Sequence, residues 1–458
     1  MTSSKGGPFP NDSGRDVSGM KPPVHSPFPF DIRTARKTGG RTDPGSLDEY
    51  RLSALRAAVA RARRNSPFFR SRLASYPEGF PRSLGEYGAL PFTTPDDLAA
   101  DPYAFLAVPQ DEVARIVTAR SSGTTGPPKR VFFSEGDLAE TRSIFAEGMT
   151  ALVPRGSGVL ILLPGERPGS VGDLLVRGLA PDMEGVLCSC PDADGTLDTI
   201  ARLRPDCLVA LPSQALRLAR HPRPSRGRCL SAVLLCSDYA SDSLTSAVED
   251  AWGCTVFRQY GLTETGYGGA LSCGEGRGMH VMEDGFFFEI VSPGTGELLP
   301  DGEEGEIVCT AFRAEGTPLL RYRTGDRGRF IPGDCSCGSF LRRIDVRGRY
   351  GNGLALPGGW VPLADLDEAL FSLPWLGGYE VRMNGSSPVF FLEVPSLPEG
   401  ILSLPEDLER EAGKKLRSLP GLDILPPEIG LCLAPPRDAP LAPSKRLVLR
   451  ETHPDRTR

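Results

Sequence analysis

The chain has 458 residues, with 52 Lys and Arg against 58 Asp and Glu, a formal net charge of −6. That length excludes a small stapled scaffold and predicts two or three domains with ample core. The mildly acidic balance argues against bulk binding of nucleic acid or an anionic membrane surface, and 53 glycines with 44 prolines predict many turns and loops, where sites are usually built.

Met1 to Phe30 lacks the apolar run of a secretory signal. The longest apolar runs, Tyr103–Val108 and Val159–Leu163, fall far short of the roughly 20 residues a membrane helix needs. Eleven cysteines in such a chain suggest free thiols or metal ligands, and the expected compartment is the cytoplasm. Residues 1–44 carry Pro, Gly and Ser without apolar periodicity and are expected to be disordered. Leu52, Leu55, Ala58 and Val59 stand at helical spacing, so Leu47–Leu73 reads as one amphipathic helix with a basic face.

From Ile116 to Phe257 short apolar runs alternate with helical patterns. Ile116–Thr118, Val159–Leu163, Cys207–Ala210 and Ala232–Leu235 read as strands. Glu135–Thr150, Thr196–Leu203, Ser213–Ala219 and Ser241–Trp252 read as helices. This alternation predicts a largely parallel, helix-covered sheet, with ligands at the carboxyl ends of its strands. Past Phe286, the runs Phe286–Val291, Glu306–Thr310 and Gly328–Ile331 are split by turn signals and predict antiparallel sheet. From about Tyr350 a last section has its own strands (Val389–Val394, Ile429–Leu433) and helices (Leu363–Phe371, Leu404–Leu416), a separate domain of about 110 residues.

The sharpest local feature is Ser121-Ser122-Gly123-Thr124-Thr125-Gly126-Pro127-Pro128-Lys129, ahead of the strand-like Val131–Phe133. Its glycines let several backbone N–H groups turn toward one anion. The hydroxyls of Ser121, Ser122, Thr124 and Thr125 and the Lys129 ammonium add donors. No Gly-Lys-Ser/Thr ends it, so it is not a Walker A loop. This segment resembles the phosphate-binding motif of AMP-forming adenylating enzymes, and the fullest likeness is to the phenylacetate–CoA ligase family. Asn65-Ser66-Pro67-Phe68-Phe69-Arg70 and Leu90-Pro91-Phe92-Thr93-Thr94 resemble that family's entry region, and the likeness runs from about residue 50 to the end.

Further motifs agree. Arg258-Gln259-Tyr260-Gly261-Leu262-Thr263-Glu264 resembles the family's Tyr-Gly-x-Thr-Glu motif: Tyr260 beside Gly261 offers a face for a purine, Thr263 a phosphate contact, and Glu264 a carboxylate for Mg²⁺. In Arg321-Tyr322-Arg323-Thr324-Gly325-Asp326, the resemblance makes Asp326 the acceptor of both ribose hydroxyls. Cys236-Ser237-Asp238-Tyr239 stands where the family has a loop against the adenine, which puts Ser237 and Asp238 in the nucleotide site. Arg349, in Ile344-Asp345-Val346-Arg347-Gly348-Arg349, would contact the adenylate just before a domain hinge. The family continues with two acidic residues, whereas this chain reads Tyr350-Gly351-Asn352-Gly353. Pro357-Gly358-Gly359-Trp360-Val361-Pro362 resembles the loop that lines the thiol's approach. Lys445, after Ser444 where the family more often has Gly, would be the catalytic lysine of the C-terminal motif.

The resemblance implies an α/β fold: a large N-terminal domain (residues 45–349) with helix-covered, mostly parallel sheets plus a β-rich subdomain, and a small mobile C-terminal α+β lid (350–458). It implies a ligase that activates a carboxylic acid, expected to be aromatic, with ATP and Mg²⁺ and passes the acyl group to CoA. Lys445, Glu264 and Lys129 would be its catalytic residues. Small-molecule partners are expected, without nucleic acid or membrane, and a homodimer is left open. Two alternatives also stay open: a non-catalytic adenylate-binding sensor, and an enzyme that loads a carrier-protein thiol. Cys273, His280, Cys335 and Cys337 offer three thiols and an imidazole around two glycine-rich turns, the ligand count of a closed structural Zn²⁺ site, and some members of the family show a similar set. Tyr239, Phe257 and Tyr267 are the aromatic candidates for an acid pocket.

Overall fold

Helices begin where the sequence supplies a cap or a proline. The computed structural model describes residues 28–119, 128–190, 192–222, 230–385, 387–395, 405–423, 428–433 and 449–450. Its first helices are α1 (Pro29–Lys37), α2 (Pro44–Asn65), α3 (Pro67–Arg72), α4 (Leu84–Gly88) and α5 (Pro95–Ala100). The single helix expected over Leu47–Leu73 is two. Pro67 keeps Ser66 in extended backbone, and the Ser66 hydroxyl accepts from the Phe69 amide to start α3. Helix α1 corrects the expectation of disorder through residue 44. Nine residues are too few to show a period, yet Phe28 and Phe30 are buried against the rest of the chain, and tertiary packing sustains the helix.

A two-stranded hairpin follows, β1 (Val113–Ala119) antiparallel to β2 (Lys129–Ser134). Ser134 and Asp137 form a reciprocal capping box that starts α6 (Glu135–Thr150). Then come β3 (Gly158–Ile161), α7 (Val171–Leu179), β4 (Glu184–Leu187), α8 (Ala193–Leu203), β5 (Cys207–Ala210), α9 (Pro212–Ala219), β6 (Ala232–Leu235), α10 (Asp242–Trp252) and β7 (Thr255–Gly261). The β-rich section is β8 (Gly269–Leu271), β9 (Met279–Val281), β10 (Phe286–Val291), β11 (Gly305–Ala311), β12 (Tyr322–Ile331) and β13 (Arg343–Arg349).

The parallel and β-rich parts are one sheet of eleven strands, in the order β10-β11-β12-β13-β9-β8-β7-β6-β5-β3-β4. Strand β7 is the seam. Thr255 to Arg258 pair in parallel with β6, and Gln259 to Gly261 pair antiparallel with β8. The Tyr260-Gly261 motif therefore lies where the sheet changes direction, at the carboxyl end of the parallel half.

The last section holds the hairpin β14 (Gly353–Leu356) and β15 (Gly359–Pro362), α11 (Leu363–Phe371), β16 (Gly378–Asn384), β17 (Ser387–Val394), α12 (Pro405–Leu416), β18 (Glu428–Leu433) and β19 (Leu449–Arg450). Its sheet runs β18-β17-β16-β19. It docks on α9 and α10. Leu244 and Val248 share one apolar core with Leu366 and Leu370. Arg220 donates to the Phe371 carbonyl at 2.6 Å, and Ser243 Oγ donates to Glu368 Oε1 at 2.7 Å.

One buried arginine fixes the start of β12. Arg321 is 2% exposed. Its Nε lies 3.0 Å from Glu289 Oε2, its Nη2 lies 3.0 Å from Oε1, and its Nη1 donates to the Leu90 carbonyl at 2.6 Å. Arg321→Met would strand the Glu289 carboxylate in the core. Removing one partner of such a pair costs about 3–5 kcal/mol, so denaturant unfolding should show a loss of that order. A loss below about 1 kcal/mol would contradict the role given to this pair.

Candidate functional site

The carboxyl ends of β6 and β7 face β12, β13 and the lid across a cleft of about 480 Å³. Ser237, Asp238, Tyr260, Gly261, Asp326 and Arg349 all line it, so six residues picked from four motifs meet at one opening. Gly261 has no substitute: a Cβ there would stand 2.2 Å from the Tyr267 carbonyl oxygen. Ser237 takes a left-handed φ of 69°, a conformation that costs a non-glycine residue free energy and clusters at functional sites.

Asp326 is aimed by a break in sheet register. Val308 pairs with Arg323 but Glu306 pairs with Arg327, so four steps along β12 answer two along β11. Gly325, at φ 74°, makes this bulge affordable. The Tyr260 hydroxyl donates to Asp326 Oδ2 at 2.8 Å, and Arg349 Nε lies 3.1 Å from Oδ1. Asp326 raises the Arg349 pKa against the opposing effect of burial. Burial, then Asp326, pushes the Tyr260 phenol well up.

Below this lies a second charged group. Lys129, the first residue of β2, forms an ion pair with Glu264 in the short turn after β7. Both are buried, at 7% and 8% exposure. The Tyr322 hydroxyl joins them, 3.2 Å from Lys129 Nζ and 3.1 Å from Glu264 Oε1. Burial alone would raise the Glu264 carboxyl, but the Lys129 ammonium outweighs it and holds the pKa below the ordinary value. Tyr322 is the member that motif reading missed. It sits inside the motif chosen for Asp326, and only the fold shows that its hydroxyl reaches Lys129. Thr263 belongs to the same turn as Glu264. Ser121, Ser122, Gly123, Thr124, Thr125, Gly126 and Lys445 lie outside the described residues.

The cysteine–histidine set also converges. The donor atoms of Cys273, His280, Cys335 and Cys337 lie within 4.8 Å of one another. Cys273 Sγ and Cys335 Sγ are 3.7 Å apart. Two corners of a tetrahedron with metal–sulfur bonds of about 2.3 Å stand roughly 3.8 Å apart, so the set fits zinc. His280 Nδ1 donates to the Leu341 carbonyl at 3.1 Å, which leaves the Nε2 lone pair facing Cys337 Sγ at 3.3 Å. Burial pushes the imidazole down to about 4, so it is neutral at neutral pH, the form that binds a metal.

A small apolar pocket of about 60 Å³ lies beside the cleft and shares Ser237 and Gly261 with it. Phe145, Met149, Tyr267 and Met282 are among its walls. Of the aromatic candidates, Tyr267 lines this pocket and Tyr239 lines the larger cleft, whereas Phe257 is core.

The AMP-binding enzyme family profile matches residues 93–311. Phenylacetate–coenzyme A ligase of Pseudomonas putida is 30% identical over 76% of this chain and 81% of its own length. The enzyme of the same name from Thermus thermophilus is 32% identical over 72% and 75%. Among solved structures, a 2-hydroxyisobutyryl-CoA ligase in the postadenylation state aligns with a TM-score of 0.79 at 18% identity, covering 98% of this chain and 97% of that one. The same protein in the thioesterification state gives 0.63 over 98% and 97%. No helix among the described residues is long and apolar enough to cross a membrane.

The Lys129–Glu264 pair predicts a pH signature. In the native chain the Glu264 pKa lies below its ordinary 4.5, so its stabilising share is full above that pH and is lost as pH falls further. In Lys129→Met, burial is left as the main influence and the folded pKa rises above the unfolded one. The sign then reverses, and the variant should lose stability as pH climbs from 4.5 toward 8. Melting temperatures across that range test this; parallel profiles for the two proteins would contradict it.

Proposed function

Because the chain belongs to the phenylacetate–coenzyme A ligase family of AMP-forming enzymes, we propose a two-step reaction in the cleft between its sheet and its lid. The chain activates a carboxylic acid with ATP to an acyl-adenylate and transfers the acyl group to coenzyme A. In the first step a carboxylate oxygen bonds to the α-phosphorus and pyrophosphate leaves. In the second the CoA sulfur, as thiolate, bonds to the acyl carbonyl carbon and AMP leaves.

The convergence of Asp326, Tyr260 and Arg349 on one cleft carries the assignment of residues. Asp326, oriented by Tyr260 and Arg349, accepts the two ribose hydroxyls. The Ser237-Asp238 loop and the Tyr260 ring bound the adenine. Lys129, Thr263 and the segment 121–126 hold phosphate oxygens. Glu264 suits Mg²⁺, an ion held by one or two carboxylates and phosphate oxygens; when bound, it neutralises charge on the phosphates. Lys129 already balances that carboxylate, so Lys129 also keeps Glu264 ionised in a buried place. Lys445 is the residue that stabilises charge on the α-phosphate during attack.

The apolar pocket takes the body of the acid, and Tyr267 in its wall favours an aromatic one. The lid turns about residues 350–353 between the steps. Gly351, at a left-handed φ of 77°, supplies freedom there in place of the family's acidic pair. The present lid position is nearer that of the ligase structure in the postadenylation state than that in the thioesterification state. Cys273, His280, Cys335 and Cys337 hold a structural zinc, which ties the turn before β9 to the turn before β13. The setting is the cytoplasm, where such thiols stay reduced.

Pyrophosphate release with a panel of acids, with and without CoA, tests the activity. Turnover should need ATP and an aromatic acid, and thioester should form on CoA. A thioester formed only on a carrier protein would overturn the thiol, and no pyrophosphate with any acid would overturn the enzyme. Lys445→Ala should slow adenylation by roughly 10²–10³ while sparing thioester formation from preformed adenylate; equal loss in both would contradict its role. Metal analysis should return about one zinc per chain, lost in Cys335→Ser; zinc-free, fully folded wild-type protein would rule the site out.

A further inference from the structure

Helix α1 touches two places that the reaction does not obviously connect. On one side it meets the cysteine–histidine set. The Phe28 ring packs on the His280 ring, centroids 5.1 Å apart. Asp31, 5% exposed, accepts from the Ser339 hydroxyl at 2.6 Å. Ser339 is a relay. Its amide donates to Cys337 Sγ at 3.5 Å, and its hydroxyl oxygen accepts from the Leu341 amide at 3.3 Å. The Leu341 carbonyl in turn accepts from His280 Nδ1. One buried carboxylate on α1 thus reaches two of the four metal-binding side chains through a single serine.

On the other side α1 holds α6. The Phe30 ring is fully buried and packs against Gly148, where an added Cβ would lie 3.7 Å from its Cζ. Arg33 bonds Glu140 at 2.6 Å and Ser143 at 2.9 Å, both on α6, and Asp284 at 2.9 Å. Helix α6 supplies Ile144, Phe145, Gly148 and Met149 to the apolar pocket, and Met282, two residues from Asp284, lines its other side. The contacts of α1 therefore cross-link two walls of that pocket.

We propose that α1 is a metal-dependent brace of the acid pocket: Asp31 and Phe28 orient the zinc ligands, and Phe30 and Arg33 pass that anchorage to α6. Asp31 is a positioning residue, acting through Ser339. This rests on the zinc and acid-pocket assignments above. Outer partners of metal ligands typically govern 10–100-fold in affinity, and a pocket wall that this helix helps to hold inherits part of that dependence.

The full-length protein tests this with three readouts. Zinc competition against a chromophoric chelator should show about 10–100-fold weaker binding in Asp31→Ala. Asp31→Asn keeps an acceptor for Ser339 and should retain most of the affinity. Stripping zinc from the wild type, which needs no variant to fold, should speed amide exchange in residues 29–37 and 144–149. Asp31→Ala should raise KM for the acid several-fold and leave KM for ATP alone, and excess zinc should restore it. Unchanged zinc affinity in Asp31→Ala, or unchanged exchange in α6 after zinc removal, overturns the brace while leaving the zinc site standing. A wild type that binds no zinc overturns both.

Discussion

A buried ammonium and a buried carboxylate set the terms for this structure. Lys129 and Glu264 are 135 positions apart in sequence, and each would be costly to bury alone. Together, with the Tyr322 hydroxyl against both, they join the hairpin strand β2, the turn after β7 and the start of β12. Removing either charge exposes the other to the full desolvation penalty, so these three elements are obliged to meet. A ligand that brings phosphates and a metal to this place finds charges already fixed in position, which is the condition for electrostatic stabilisation without reorganisation.

The sheet explains how Tyr260 and Asp326 meet in the cleft. Its parallel half ends at β7, and its antiparallel half begins on the same strand. A strand that serves both halves delivers Tyr260 to the opening, and the bulge in β12 turns Asp326 to meet it. The lid closes the opposite side through contacts that mix a shared apolar core with Arg220 and Glu368.

Much of this was legible in the sequence. Elements such as α6, β5, β6 and α11 fall where the sequence puts them: β5 and β6 are continuous apolar runs buried at every position, and Ser134 caps the start of α6. The motif residues Lys129, Glu264, Asp326 and Arg349 were legible through the resemblance of their motifs to a known family, since each taken alone reads as an ordinary turn or surface residue. Three things were not. Tyr322 reads as an ordinary strand aromatic until its hydroxyl is seen beside Lys129. Helix α1 buries a single large apolar side chain, Phe30, while Ile32 is exposed, so no apolar period marks it. The fusion of parallel and antiparallel parts into one sheet depends on β7 pairing differently along its length, which no local pattern encodes. The cysteine–histidine set was readable as a ligand count, but its convergence depends on β9 and β13 lying side by side.

The central claim is that Asp326, held by Tyr260 and Arg349, recognises the ribose of a nucleotide bound over the Lys129–Glu264 pair. Calorimetric titration of AMP and of 2′,3′-dideoxy-AMP into the wild type and Asp326→Ala measures this directly. The wild type should prefer AMP by tenfold or more, about 1.4 kcal/mol, in the range for hydrogen bonds to a charged group, and the variant should bind the two alike. Equal binding of both nucleotides by the wild type, or an undiminished preference in the variant, would contradict the account.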